Sequence, residues 1–143
     1  MSRRRPAHAL TTPAAPLSKD VAGLAAILLA SGAAHLIRPR TYEAIIPTPL
    51  ASRSRELVLA SGVAELACGA ALLHPRTRKV AGLASAALLV GVLPANIQMS
   101  ADQAKRAQRK QDAGSTALFA GTLARLPLQW PMIRTALRAA GRL

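Results

Sequence analysis

The stretch VAGLAAILLASGAAHLI, residues 21–37, contains no formally charged side chain. A helix on the surface of a soluble protein places charged residues along one face every three or four positions, and this stretch has none. Two further runs resemble it, because residues 57–73 hold only Glu65 as a charge and residues 80–99 hold none. About 20 predominantly apolar residues cross the hydrocarbon core of a bilayer, with about 17 as a minimum. The three runs therefore predict membrane-spanning helices.

A fourth run, residues 113–137, is apolar at its start and then admits Arg125, Gln129 and Arg134. We therefore predict an all-α fold, a four-helix transmembrane bundle with an interfacial loop or short helix between helices 1 and 2. The alternative is a soluble four-helix bundle with unusually apolar helices, which the missing polar face disfavours. The four predicted spans are about 20–37, 56–74, 80–99 and 114–137.

The ends of the chain differ from its centre. Residues 1–18 are basic and rich in Pro and Ala, and we expect a flexible tail there. Residues 19–138 would form the membrane domain and residues 139–143 a short C-terminal tail. Because twenty residues precede the first apolar run and three more runs follow it, we expect an uncleaved first helix and not a secretory signal.

The first helix is expected to begin at Lys19 or Asp20, with Ser18 as a candidate cap, and to end before Pro39. The connection that follows, residues 38–55, contains the elements IIP and PTP, which interrupt regular structure. Its apolar residues favour a short helix or loop lying at the membrane interface.

Prolines mark the remaining boundaries. Pro75 should end helix two, and Pro94 should kink helix three by removing one backbone hydrogen bond. The polar stretch at residues 100–114 is either an extramembrane extension of helix three or a mobile loop. Pro127 and Pro131, four residues apart, predict a break or kink in helix four.

The formal net charge of +13 raises the question of a nucleic-acid partner. The basic residues are spread over every connection, and Tyr42, Phe119 and Trp130 are the only aromatic residues, so a stacking platform is not expected. Membrane lipids are the expected partner and nucleic acid is not. Ten basic residues flank one side of the predicted spans and eight the other. This count favours both termini in the cytoplasm of a multi-pass protein in the bacterial cytoplasmic membrane.

Two matching hexapeptides, SGAAHL and SGVAEL, place His35 and Glu65 inside apolar helices. A helix rises about 1.5 Å per residue, so depth can be counted from the predicted helix ends. This count predicts two polar layers. His35 would lie near the surface with Asn96 and Gln98, and Glu65 would lie roughly 15 Å deep, level with Arg125.

A charged side chain at the bilayer centre costs about 2.5–3.5 kcal/mol and normally turns inward to a partner. We therefore predict an ion pair between Glu65 and Arg125 inside the bundle. Whether such a pair fixes helix register or forms a ligand or proton site stays open. For His35 we expect a hydrogen bond to Asn96 or to the following loop more than a catalytic role. The residues predicted to face inward are Leu28, Ser31, Gly32 and His35; Ser61, Glu65, Cys68 and Gly69; and Ser85, Leu89, Val92 and Asn96.

No metal site is predicted, because His8 lies in the tail, His74 lies at the opposite end from His35, and Cys68 lies within a hydrophobic run. As the single cysteine, Cys68 has no internal disulfide partner, and we expect it to be a packing residue.

In combination, these motifs resemble the small membrane proteins of the DoxX and DoxX-like group over about residues 20–138. The matching positions are Gly32, His35, Pro39, Tyr42, Ile45, Pro47, Ser61, Gly62, Glu65, Gly69, Pro75, Arg78, Pro94, Ala95, Asn96, Met99, Arg125, Leu126, Pro127 and Gln129. The resemblance implies a four-helix integral membrane fold without one agreed activity, among relatives associated with membrane redox or thiol homeostasis. The chain lacks the thiol pair that thiol exchange would need.

Two functions stay open. The first is a non-catalytic or accessory membrane subunit that binds a small lipophilic ligand, with a quinone as candidate, or a partner protein. Its polar intramembrane site would consist of His35, Glu65, Asn96 and Arg125. The alternative is a component of a membrane quinone-linked oxidoreductase that relays protons while a redox partner supplies electrons. A small transporter is disfavoured because four helices leave little room for alternating access, and oligomerisation is left open.

Overall fold

The computed structural model describes residues 16–44, 46 and 48–143. Most of the predicted N-terminal tail, His8, and the motif positions Ile45 and Pro47 lie outside these residues. The described structure is all-α, as predicted. Its elements are α1 (Lys19–Ile37), α2 (Pro39–Glu43), a 3₁₀ helix (Thr48–Arg53), α3 (Ser54–Leu73), α4 (Arg78–Gly91), α5 (Leu93–Lys110) and α6 (Ala113–Ala139).

Helices α1 and α3 pair through direct backbone contact. A Cβ atom added to Gly32 would lie 2.6 Å from the carbonyl oxygen of Gly62, and one added to Gly69 would lie 3.0 Å from the carbonyl oxygen of Ala25. Real Cβ atoms do not approach backbone oxygens so closely, so only glycine fits the Gly32 position. The small residues that line one side of each helix thus bring the two backbones together.

A second close contact joins α4 to α6. A Cβ atom added to Gly82 would lie 2.5 Å from the carbonyl oxygen of Ala136 and 2.7 Å from the nitrogen of Ala140. The apolar core lies where these two helix pairs meet. Its buried residues are Val21, Leu24, Ala25, Leu28, Cys68, Leu72, Ala81, Ala86, Leu89 and Ala136.

The outward faces are also apolar. Ile37 is 77% exposed and Val80 is 72% exposed, which would be costly in water. Three helical segments are long and apolar enough to cross a membrane, namely Lys19–Ile37, Pro49–Leu73 and Arg78–Lys110. This is consistent with a multi-pass membrane protein. The predicted fourth span falls on α6, which has 27 residues but is not among the three.

Helix α1 begins at Lys19 as expected, although Ser18, at its N-cap position, forms no capping hydrogen bond through its side chain. The predicted short helix or loop after α1 consists of α2 and the 3₁₀ helix. A kink was predicted at Pro94, and the structure interrupts helix three two residues earlier, at Val92, between α4 and α5. Pro94 therefore lies in the first turn of α5. Backbone N–H groups of the first turn have no acceptor within the helix, so proline costs no hydrogen bond of α5 there.

The polar stretch after Met99 is helical to Lys110, so it extends α5 and is not a loop. Gln111 then adopts a left-handed conformation with φ 50°, which ends the helix. Of the predicted break or kink in helix four, the break is wrong, because α6 is continuous through Pro127 and Pro131. Each proline removes one backbone hydrogen bond, and the packing of α6 against α4 and α5 keeps the helix continuous.

Candidate functional site

A cavity of about 540 Å³ lies between α1, α2, the 3₁₀ helix, α3, the α4–α5 break and α6. This volume is within the range of roughly 300–1,000 Å³ that small-molecule sites occupy. All four residues that were predicted to form a polar site, His35, Glu65, Asn96 and Arg125, contribute to its wall. Most of the remaining wall is apolar and small, for example Leu57, Val58, Ala64, Ala87, Leu88 and Gly91.

Glu65 is the most buried charged group of this wall, with 5% of its surface exposed. One turn earlier in α3, Ser61 donates a hydrogen bond from Oγ to Glu65 Oε1 over 3.3 Å. The other carboxylate oxygen, Oε2, lies 3.4 Å from His35 Nδ1. The two atoms are close enough for a charge contact but not aligned for a hydrogen bond, and neither has another hydrogen-bond partner. The carboxylate is thus only half satisfied.

His35 reaches Glu65 because Gly62 leaves room beside it. A Cβ atom added to Gly62 would lie 2.9 Å from His35 Cβ. On its other side the imidazole contacts Tyr42 of α2, with the ring centroids 4.2 Å apart and the planes at 85°. This edge-to-face contact fixes the ring orientation. The contact between His35 and Tyr42 was not predicted.

Asn96 is held by other partners than expected. Its Nδ2 donates to Gln129 Oε1 over 3.1 Å, and Gln129 Nε2 in turn donates to the carbonyl oxygen of Leu89 in α4. Asn96 is 7% exposed and Gln129 is 4% exposed. Of the two partners predicted for His35, Asn96 is wrong, and the following loop includes Ile45 and Pro47, which lie outside the described residues. The two amides connect α6 to both sides of the α4–α5 break.

The role of Gln129 was not predicted from the sequence. The signal was present, because Gln129 follows Arg125 by one helical turn and stands between apolar residues. Gln98, expected near His35, instead donates to Asp102 within α5 over 3.1 Å.

The predicted ion pair between Glu65 and Arg125 is wrong. In the part of the chain that the structure describes, the carboxylate of Glu65 instead faces the imidazole of His35, and Arg125 is exposed although it lines the same cavity.

The depth count failed because it assumed that α3 begins level with the end of α1. Gly62 faces His35 in an antiparallel pair, so Ile37 is level with α3 about two residues before Gly62. The first turns of α3 then continue roughly 9 Å past the end of α1. The backbone positions of His35 and Glu65 are consequently about three residues, or roughly 4.5 Å, apart along the helix axes, and their side chains bridge that distance.

A smaller cavity of about 30 Å³ also includes Glu65, Asn96 and Arg125, together with Ser31 and Gln129. It is about the volume that one water molecule occupies in the liquid. Within the described residues, no group of three or more His, Cys, Asp or Glu side chains could hold a metal ion. The site thus offers hydrogen bonds and charge next to apolar surface.

The family described as a domain of unknown function (DUF8561) matches residues 24–140. No curated protein and no solved structure matches the chain. The match carries no DoxX assignment, so the DoxX resemblance remains a hypothesis.

Proposed function

The chain belongs to the DUF8561 family, whose description states no activity, and we propose from the cavity that it binds a small lipophilic molecule within the membrane as a non-catalytic, accessory protein. The observation that carries this proposal is the half-satisfied Glu65 carboxylate in the wall of a largely apolar cavity of about 540 Å³. A buried ionisable group is costly unless it is paired and hydrogen-bonded. A half-satisfied carboxylate beside a cavity of ligand size supports a binding role.

The proposal includes a four-span arrangement in which α6 crosses the membrane beside the three apolar segments. Large hydrophobic side chains of α6 face outward, since Leu128 is 59% exposed and Trp130 is 66% exposed. Arg138 pairs with Asp20 at the far end of α6, with Nη1 and Oδ2 3.5 Å apart. In this arrangement the cell membrane is the location and its lipids are the first partners.

The alternative, a proton-relaying component of a quinone-linked oxidoreductase with DoxX-like relatives, uses the same cavity. It requires electrons from a partner, since the chain has one cysteine, Cys68, and that residue is buried. We therefore place ligand binding first, as the step that both functions share.

The test is a titration of the purified full chain in lipid nanodiscs with the apolar probe 4-heptylphenol. Gly91 lines the cavity, and a Cβ atom added there meets no atom within 4 Å, so Gly91→Leu would fill the cavity without disturbing the backbone. Gly121 is equally open but does not line the cavity, which makes Gly121→Leu the matched control.

We expect saturable binding that Gly91→Leu weakens at least tenfold and Gly121→Leu leaves unchanged. Circular dichroism would show that both variants retain their helices. Unsaturable partitioning, or equal binding by the two variants, would remove the proposal.

A further inference from the structure

We infer that the ligand of the proposed cavity is a lipophilic molecule with a hydroxyl head group that donates a hydrogen bond to Nε2 of His35. This inference rests on the proposed function and names the chemistry of the ligand. It follows from how the protein arranges the two nitrogen atoms of one imidazole ring.

The contact with Glu65 determines which nitrogen of His35 carries the proton. Ser61 donates to one oxygen of Glu65, and the other oxygen faces His35 Nδ1 at 3.4 Å. A carboxylate accepts hydrogen bonds and donates none, so it favours a proton on the nitrogen that faces it. In a neutral imidazole one nitrogen carries the proton and the other is an acceptor. The contact with Glu65 therefore makes Nδ1 the donor and Nε2 the acceptor.

The residues that the structure describes form no hydrogen bond to Nε2 of His35, and His35 lines the cavity. Tyr42 packs against the ring and limits its rotation. Asn96 uses one N–H of its amide for Gln129 Oε1 and forms no hydrogen bond to Nε2. A ligand in the cavity can therefore supply the donor, and a hydroxyl group is one.

Arg125 is the group that could compete with His35 for the head group of the ligand. It lines the same cavity and can only donate hydrogen bonds, so it would favour a ligand with an acceptor or an anionic head. It is exposed and lies beside lipid and solvent in the proposed arrangement, whereas His35 and Glu65 are held in place by the α1–α3 contact. We therefore assign recognition of the head group to His35.

His74 provides an internal comparison. In the exposed turn after α3, the backbone N–H of Arg76 donates to His74 Nδ1 over 3.3 Å. This contact favours the proton on Nε2, so the two described histidines should be opposite tautomers. Nitrogen-15 NMR of the full chain in nanodiscs distinguishes the tautomers, and the variants His35→Phe and His74→Phe assign the signals.

The binding test uses three probes of nearly equal size: 4-heptylphenol donates and accepts, 4-heptylanisole only accepts, and heptylbenzene does neither. We expect the phenol to bind at least tenfold more tightly than the other two. His35→Phe should remove this preference. Glu65→Gln can present an amide N–H to Nδ1, which moves the proton to Nε2, so the ratio of phenol to anisole affinity should fall towards one.

The outcomes separate the two proposals. Saturable binding of all three probes with equal affinity would overturn the hydroxyl assignment and leave the cavity proposal standing. A proton on Nε2 of His35 in the wild-type spectrum would do the same. Tighter binding of 4-heptylbenzoate, lost in Arg125→Gln, would move head-group recognition to Arg125 and reject the inference. Saturable binding of none of the probes would reject the proposed function itself.

Discussion

His35 Nδ1 and Glu65 Oε2 lie 3.4 Å apart across the closest contact between α1 and α3. The matching hexapeptides SGAAHL and SGVAEL thus do more than repeat a pattern of small residues. Their glycines, Gly32 and Gly62, lie at the contact between the antiparallel helices. The side chains of His35 and Glu65 meet beside this contact, although their backbone positions are roughly 4.5 Å apart along the helix axes. The two residues therefore belong to one interaction.

Removing one member of the His35–Glu65 pair should destabilise the protein more than replacing both members with apolar residues. His35→Leu leaves Glu65 Oε2 buried without a partner, and we expect a loss of about 1–3 kcal/mol in the free energy of unfolding. The double variant His35→Leu/Glu65→Leu removes both polar groups and should recover most of that loss. Thermal unfolding in detergent micelles measures both, and strictly additive losses would contradict this prediction.

Gly32→Ala should destabilise the α1–α3 pair. The new Cβ atom would lie 2.6 Å from the Gly62 carbonyl oxygen and force the helices apart, at a cost of about 1–3 kcal/mol. Gly23 is the matched control on the same helix, because a Cβ atom there meets nothing within 4 Å. Gly23→Ala should stabilise the protein by about 0.5–1 kcal/mol through helix propensity. Equal unfolding temperatures for the two variants would exclude the close contact.

Asn96→Ala should cost about 1–3 kcal/mol, because it removes the donor to Gln129 Oε1, which is buried. Gln98→Ala removes a hydrogen bond to Asp102 within α5 and serves as the control, with an expected cost of about 0.2–0.5 kcal/mol. The two midpoints of thermal unfolding give the comparison. A loss for Gln98→Ala as large as that for Asn96→Ala would show that the bond to Gln129 does not hold the α4–α5 break.

The cap of α6 should depend on pH. The backbone N–H and then the hydroxyl of Ser115 donate to Asp112, at 2.7 and 3.0 Å, and these bonds hold the pKa of the Asp112 carboxyl below its ordinary value. Because the folded pKa is the lower one, the cap stabilises the helix fully above the unfolded pKa of about 3.9 and less as the pH falls below it.

Asp112→Asn retains a capping oxygen but does not titrate in this range. Wild type should therefore be the more stable protein at neutral pH, with the difference shrinking below about pH 4. Thermal unfolding of both proteins between neutral pH and pH 3 measures this difference. A constant difference over that range would show that Asp112 does not carry the effect.

The helices could be predicted because charge-free runs have few folded alternatives. Residues 21–37 fall within α1, and the buried positions Gly32, Ser85 and Asn96 lie on the faces that were predicted to point inward. The ends of α1 and α3, shortly before Pro39 and Pro75, also follow from local stereochemistry.

The register between helices could not be predicted in the same way. It depends on which glycines of α1 and α3 meet, and many small residues in both helices offer similar contacts. An error of a few residues in register moved Glu65 away from His35 and towards Arg125 in the depth count. The continuity of α6 through Pro127 and Pro131 is likewise decided by tertiary packing, which outweighs a local preference.

The polar extension of α5 determines how far its basic residues lie from the bilayer. Residues 100–110 add roughly 16 Å to the helix beyond Met99, measured along its axis. In the proposed four-span arrangement, Arg109 and Lys110 then stand about two Debye lengths from the bilayer face at physiological ionic strength, beyond the main pull of the headgroups. Arg38, at the end of α1, stays close to the headgroups. The same end of the molecule therefore displays basic charge both at the lipid surface and well out in the aqueous phase.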